Sequence, residues 1–211
     1  MSTPTLLAAT YDGALTVTAQ WQAVEGVTQY TIGVLSGTQV VASGPAYGIF
    51  GTLQLQSKLD TPGTYQVAVC TGVAPNAGPW GNRLMVVTEQ VTGLTAAYDG
   101  ASVQAGWTLP GPWVTGAEVF LTDTTTGMRV TEQGFTGASG TLALAGPLDP
   151  AHAYTLDAMG SYGASLGPST AQPLPLVTAA PGLQAVTYNP GAGAVTVVLE
   201  STVVFSRPPS A

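Results

Sequence analysis

The chain has 211 residues, of which 7% are charged, and it carries a net charge of −7. Ordinary soluble domains are roughly 25% charged, so this surface must be built from Thr, Ser, Gln, Gly and Ala. Such weak repulsion suits a protein made to associate, although a secreted or GC-rich composition reads the same way. The four basic residues, Lys58, Arg83, Arg129 and Arg207, lie far apart, which excludes a phosphate-binding groove for nucleic acid, and the acidic balance argues against an anionic membrane surface.

Residues 5–21 predict a β-hairpin. Leu7 and Ala9 approach a turn at Asp12-Gly13, and Leu15, Val17, Ala19 and Trp21 then alternate with Thr16, Thr18 and Gln20. Asp-Gly between alternating runs sets a hairpin register, and period two places Trp21 on the buried face with Leu15 and Val17. Strands are expected at 29–35 and 39–42. A glycine-broken apolar segment, 45–51, precedes strands at 52–56 and 64–70. The stretch 72–82 reads as a Gly/Pro/Asn loop holding Trp80, and 83–89 as a final strand. Seven short strands with no helical period predict a β-sandwich.

The opening stretch returns as Leu94 to Trp107, with Tyr98-Asp99-Gly100 in place of Tyr11-Asp12-Gly13. It starts again at Leu183, with Tyr188-Asn189-Pro190-Gly191. Tyr11 and Tyr98 are 87 residues apart, and Tyr98 and Tyr188 are 90. A period this long is a domain rather than a solenoid unit. The division expected is 1–90, 91–180 and a remainder, 181–211. In the second unit strands are expected at 117–123, 128–133, 140–144, 153–158 and 171–178, with a loop at 160–168. Pro173 and Pro175 make the last of these an edge or partly paired strand.

Leu148-Asp-Pro150-Ala-His-Ala-Tyr154 resembles the E–F corner of fibronectin type III domains, and Leu59-Asp-Thr-Pro62-Gly-Thr-Tyr65 keeps its Leu-to-Tyr spacing with Pro displaced by one. Trp21 and Trp107 match that family's strand-B tryptophan. The segments 78–82 and 163–169 are similar to its F–G loop. The resemblance covers roughly residues 5–180 and implies all-β, tandem immunoglobulin-like sandwiches with a tyrosine corner at strand F. It carries no function, since one fold hosts many. In the family the B–C and F–G loops share the end where the chain enters. For the second unit that end abuts the first, which makes Trp113 and Tyr162 domain-junction residues. For the first unit it is free. Trp80, Tyr47 and Phe50 are therefore candidates for contact with a protein partner or with a glycan, with Trp80 either exposed or folded back over the sandwich edge.

The remainder, 181–211, offers a β-hairpin and then Thr202-Val-Val-Phe205. Two or three strands have too little core to stand alone. The segment either packs on the second unit, exchanges with a neighbouring chain, or is a fragment. Val203, Val204 and Phe205 are the candidate subunit contacts.

Reactive groups are few. The single histidine, His152, reads as an exposed turn residue. Asp12 and Asp99 read as turn formers rather than metal ligands. The single cysteine, Cys70, reads as facing outward and half-buried beside Gln66 and Ala68. No Gly-x-Ser-x-Gly elbow occurs. No catalytic residue, cofactor or metal site is expected, and no transmembrane run approaches ~18 apolar residues. The first ten residues lack the basic and apolar regions of a signal peptide. The chain reads as soluble, either cytoplasmic or exported without a cleaved signal to an extracellular, surface or virion location. The expected function is non-catalytic: a structural, assembly or adhesion protein of a filament, surface layer or phage particle, self-assembling or in a larger complex. The alternative is a carbohydrate-binding or spacer module.

Overall fold

The computed structural model describes residues 2–73, 77–178, 183–189 and 194–199, and the candidate subunit contacts Val203, Val204 and Phe205 lie outside them. The described residues are all-β. In chain order the strands are β1 (Leu6–Tyr11), β2 (Thr16–Trp21), β3 (Gln29–Ser36), β4 (Gln39–Tyr47), β5 (Phe50–Gln54), β6 (Tyr65–Thr71) and β7 (Trp80–Met85). They continue as β8 (Thr92–Tyr98), β9 (Ser102–Thr108), β10 (Gly116–Asp123), β11 (Met128–Thr136), β12 (Ser139–Ala143), β13 (Tyr154–Tyr162), β14 (Ser165–Ser169) and β15 (Leu174–Leu176). Last come β16 (Leu183–Asn189) and β17 (Ala194–Leu199), which pair antiparallel with each other.

In the first unit β1-β2-β5 faces β4-β3-β6-β7, and in the second β8-β9-β12 faces β11-β10-β13-β14. Each pair of sheets closes over its own core. One core gathers Val17, Trp21, Ile32, Val34, Val67 and Val69. The other gathers Val103, Trp107, Val119, Leu121, Leu142 and Leu156. Alternation of apolar and polar residues along each strand puts these side chains on the inner faces.

The sequence reading needs correction at several strands. Leu7 and Leu15 are exposed, whereas Leu6 and Tyr11 are buried. A register shift between Leu6 and Ala8 moves the inward set by one, and Leu15 sits in the turn. β4 runs through Pro45, which an edge strand tolerates because its outer side is not paired. Trp80 begins β7 rather than lying in a loop. Residues 165–169 form β14, where a loop was expected, and only Leu174–Leu176 of the expected last strand pairs with β13. Between β14 and β15, Asp157 accepts hydrogen bonds from the Thr170 amide and hydroxyl. These bonds close the gap in the ladder.

The repeated Tyr-Asp-Gly stretch has a role that periodicity does not reveal. The Tyr11 hydroxyl donates to the Ala14 carbonyl (2.9 Å) and accepts from the buried Leu59 amide (3.0 Å). Tyr98 does the same with Gly100 (2.9 Å) and Leu148 (2.9 Å). Each tyrosine therefore ties the first hairpin of its unit to the corner before β6 or β13. Tyr11→Phe leaves the Leu59 amide unpaired and is expected to cost about 1–3 kcal/mol, read as a fall in the urea midpoint. The expected tyrosine corner is present in the second unit, where Tyr154 accepts from the Asp149 amide at 3.0 Å. No such bond is found for Tyr65, where Pro is displaced and Gly63 takes φ +70°.

The two units share a sheet. β14 of the second adds in parallel to β1 of the first, pairing Ala9 with Ser165 and Thr10 with Leu166. The Ala9 amide donates to the Ala164 carbonyl at 3.3 Å. Lower down, β1 is held to β7 by the Asn82 side chain, which accepts from the Leu6 amide (2.6 Å) and donates to the Leu6 carbonyl (3.0 Å). β14 takes over where that clamp ends.

Candidate protein interface

The residues with reactive side chains are bound up in local structure. His152 is half-buried rather than exposed: its Nδ1 lies 2.7 Å from Asp123 Oδ2, and its Nε2 lies 3.9 Å from Asp149 Oδ2. Both ring nitrogens address carboxylates, so no nucleophile is served. Burial pushes the Asp123 carboxyl up, but His152 and the Thr126 and Thr125 amides outweigh it and hold the carboxyl below its usual range. Asp12 behaves alike: partial burial raises it, and the Thr16 and Ala14 amides lower it further. Asp99 is held down by the amides of Ala101 and Ser102 and the Ser102 hydroxyl. Among the described residues no three His, Cys, Asp or Glu side chains gather to hold a metal ion.

These carboxylates give the fold an acid limit. A folded-state pKa below the unfolded value adds stability above the unfolded pKa, and that stability is lost as pH falls through the folded value. Glu118 works the other way, since burial and then Glu132 raise it. With three lowered groups against one raised, the urea midpoint is expected to fall below about pH 4. Asp12→Asn and Asp99→Asn keep the turn acceptor and are expected to flatten that limb in circular-dichroism titrations.

Cys70 is buried, not half-exposed. It does lie on the outer face of its sheet, in register with Trp80 on one side and Thr31 on the other. The Trp80 ring ends over Gly33, where an added Cβ would come within 2.5 Å of it. To reach from β7 to β3 the ring must cross β6, and so it covers Cys70 and Ala68. Burial raises the Cys70 pKa against hydrogen bonding with Thr31, which leaves a protonated, unreactive thiol. Trp80 is thus a half-buried cover. Of the three candidate contact rings, Tyr47 (65% exposed) and Phe50 (57%) stand in solvent. They flank the turn joining β4 to β5.

Trp113 and Tyr162 stack at 6.3 Å between ring centroids, tilted by 57°. Trp113 rests on Gly63 of the first unit, and a Cβ there would fall inside its indole. Nearby, Pro168 closes on Gly13, where an added Cβ would lie 2.7 Å away.

Tyr47 and Phe50 belong to a larger exposed apolar surface, whose Val40, Val41 and Ile49 were not among the sequence candidates. The exposed residues Val40, Val41, Tyr47, Ile49 and Phe50 all lie on edge strand β4, on the turn after it, or at the start of β5, the edge strand of the facing sheet. A groove of about 370 Å³ runs along that edge between Val40–Ser43 and Gln54–Leu59. The signal was present as a run without any charged residue from 26 to 57, between Glu25 and Lys58.

No protein-family model matches the chain, and no curated protein does. Solved structures do. The FN1–FN3 domains of chicken CNTN1 align over 83% of this chain and 66% of theirs, at 14% identity and a TM-score of 0.37. A two-domain fibronectin type III segment of chicken tenascin aligns over 82% of this chain and 99% of its own, at 16% identity and 0.36. The BSP domain of a biofilm-associated protein aligns over 83% of this chain and 29% of its own, at 15% identity and 0.35. The chain resembles tandem fibronectin type III domains. The likeness is of fold, and the chain spans just under two thirds of the CNTN1 structure. Among the described residues no helix is long and apolar enough to cross a membrane.

Proposed function

We propose that the chain is a non-catalytic structural protein, an assembly or adhesion subunit that acts through β-sheet contacts with protein partners. The observation that carries this reading is the way its own units meet. β14 adds to β1 by backbone pairing across a unit boundary. The same mode of contact, offered to another chain, is strand addition. The scarcity of charge supports it, because little repulsion opposes close approach. In this reading 1–90 and 91–180 are two fibronectin type III-like sandwiches, and 181–211, with Val203, Val204 and Phe205, supplies a further subunit contact. The setting is extracellular, on a surface or filament, or in a virion.

Sedimentation velocity of the intact chain over rising concentration tests the reading. Reversible association is expected, and a chain that stays monomeric up to its solubility limit contradicts it. A second reading, carbohydrate binding, is favoured by the exposed rings of Tyr47 and Phe50, since flat aromatic faces stack on sugars. Glycan-array binding lost in Tyr47→Ala and Phe50→Ala would support that reading instead.

A further inference from the structure

We infer that the β4 edge of the first unit is a self-association surface, on which β4 of a second copy pairs antiparallel about a two-fold axis. This rests on the assembly reading above and names its surface and partner. β4 ends its sheet, so among the described residues no strand lies beside its outer row of amides and carbonyls. Proteins that stay monomeric blunt such edges with charge. The second unit does so and the first does not.

Register makes the comparison exact in position. In the second unit Thr122 pairs with Arg129 and Phe120 with Glu132. In the first, Leu35 pairs with Val40 and Gly33 with Ser43. Both edge strands carry a register shift at the same place, between Leu121 and Thr122 and between Val34 and Leu35. Val40 therefore occupies the position of Arg129, and Ser43 that of Glu132. Arg129 and Glu132 form an ion pair, and the guanidinium lies 4.2 Å from the Phe120 ring centroid. The β11 edge is thus guarded by two charges where the β4 edge has a valine and a serine.

The occupant follows from charge and size. The charge-free run 26–57 forms β3, β4 and β5 at one edge, so a second copy brought to it meets no like charge. A charged partner strand would find no counter-charge there. An uncharged strand of equal length is what β4 of another copy supplies. Nine residues of strand span about 30 Å. With two sheets about 10 Å apart and their flanking side chains, the edge covers about 600 Å² per copy, near the ~1,200 Å² total that stable interfaces reach. Pro45 withholds one donor, so the ladder rests on its neighbours, while Val40, Val41, Tyr47 and Phe50 add apolar contact. A two-fold axis makes the contact self-complementary.

The test transplants the second unit's guard onto the first. Val40→Arg with Ser43→Glu, in the full chain, places side chains that the equivalent register already hosts. Circular dichroism and the thermal transition confirm that the variant folds. Sedimentation velocity is expected to show dimer for the parent and loss of the dimer boundary for the double variant. A parent that associates together with a folded variant that associates equally overturns this surface and leaves the assembly reading standing. A monomeric parent overturns both.

Discussion

Trp21→Ala is expected to lower the stability of the first unit by about 3–5 kcal/mol, the cost of removing a buried tryptophan and leaving a cavity. Trp21 is 1% exposed and packs against Tyr30 at 5.3 Å between ring centroids. Gly51 lies against its far edge, where an added Cβ would sit 3.1 Å from the ring. A unit of about 90 residues holds roughly 5–13 kcal/mol in total, so urea denaturation should show the first unit largely unfolded at mild denaturant. The phenylalanine variants separate packing from hydrogen bonding. Trp107 Nε1 donates to the Gly137 carbonyl at 3.0 Å, whereas Trp21 Nε1 is buried without a partner. Trp107→Phe is therefore expected to cost more than Trp21→Phe, because only the former breaks a bond. Equal costs would mean that the indole N–H of Trp107 contributes nothing.

Gly63→Val is the second large effect, and it acts at the junction. Gly63 has φ +70°, where an L-residue costs about 1–2 kcal/mol. Its missing side chain is the space that Trp113 occupies, and forcing extra atoms into a packed site costs about 1–3 kcal/mol more. The combined expectation is a loss of about 2–5 kcal/mol. Trp113→Ala separates the two causes. It opens room for the valine without relieving the backbone, so the double variant should recover only part of the loss. Full recovery would show that φ at residue 63 is without cost. Small-angle scattering on Gly63→Val is expected to report a wider spread of angles between the units.

What could be read from the sequence was local, and what could not depends on partners distant in the chain. Asp12 and Asp99 announce their turns because the carboxylate bonds to amides two to four residues on. Trp21 and Trp107 announce the core through alternation. The corner at Pro150 to Tyr154 was implied by the resemblance to fibronectin type III domains, and the tyrosine bond is there. By contrast, the Tyr11 hydroxyl reaches an amide 48 residues away, and no periodicity encodes that. Cys70 was placed on the correct face but its burial was underread, because strand parity gives a face, while burial of an outer face depends on what crosses it, here Trp80 from the next strand. His152 was read as an exposed turn residue because its partner Asp123 is 29 residues distant. The pairing of β14 with β1 has no local signature either, and Ser165 to Ser169 reads as loop for that reason. The candidate edge is the opposite case. Its signal, 32 residues without charge, lay in the sequence, but it gained meaning only when register set Val40 beside Arg129 as equivalent positions.

Hydrogen exchange of the intact chain at low and high concentration tests the central claim most directly, because it reports both whether copies meet and where. Amides of residues 39–47 are expected to gain protection as concentration rises, while those of 128–136, behind Arg129 and Glu132, stay unchanged. Unchanged protection across 39–47, in a sample that sedimentation shows to be associated, would contradict it.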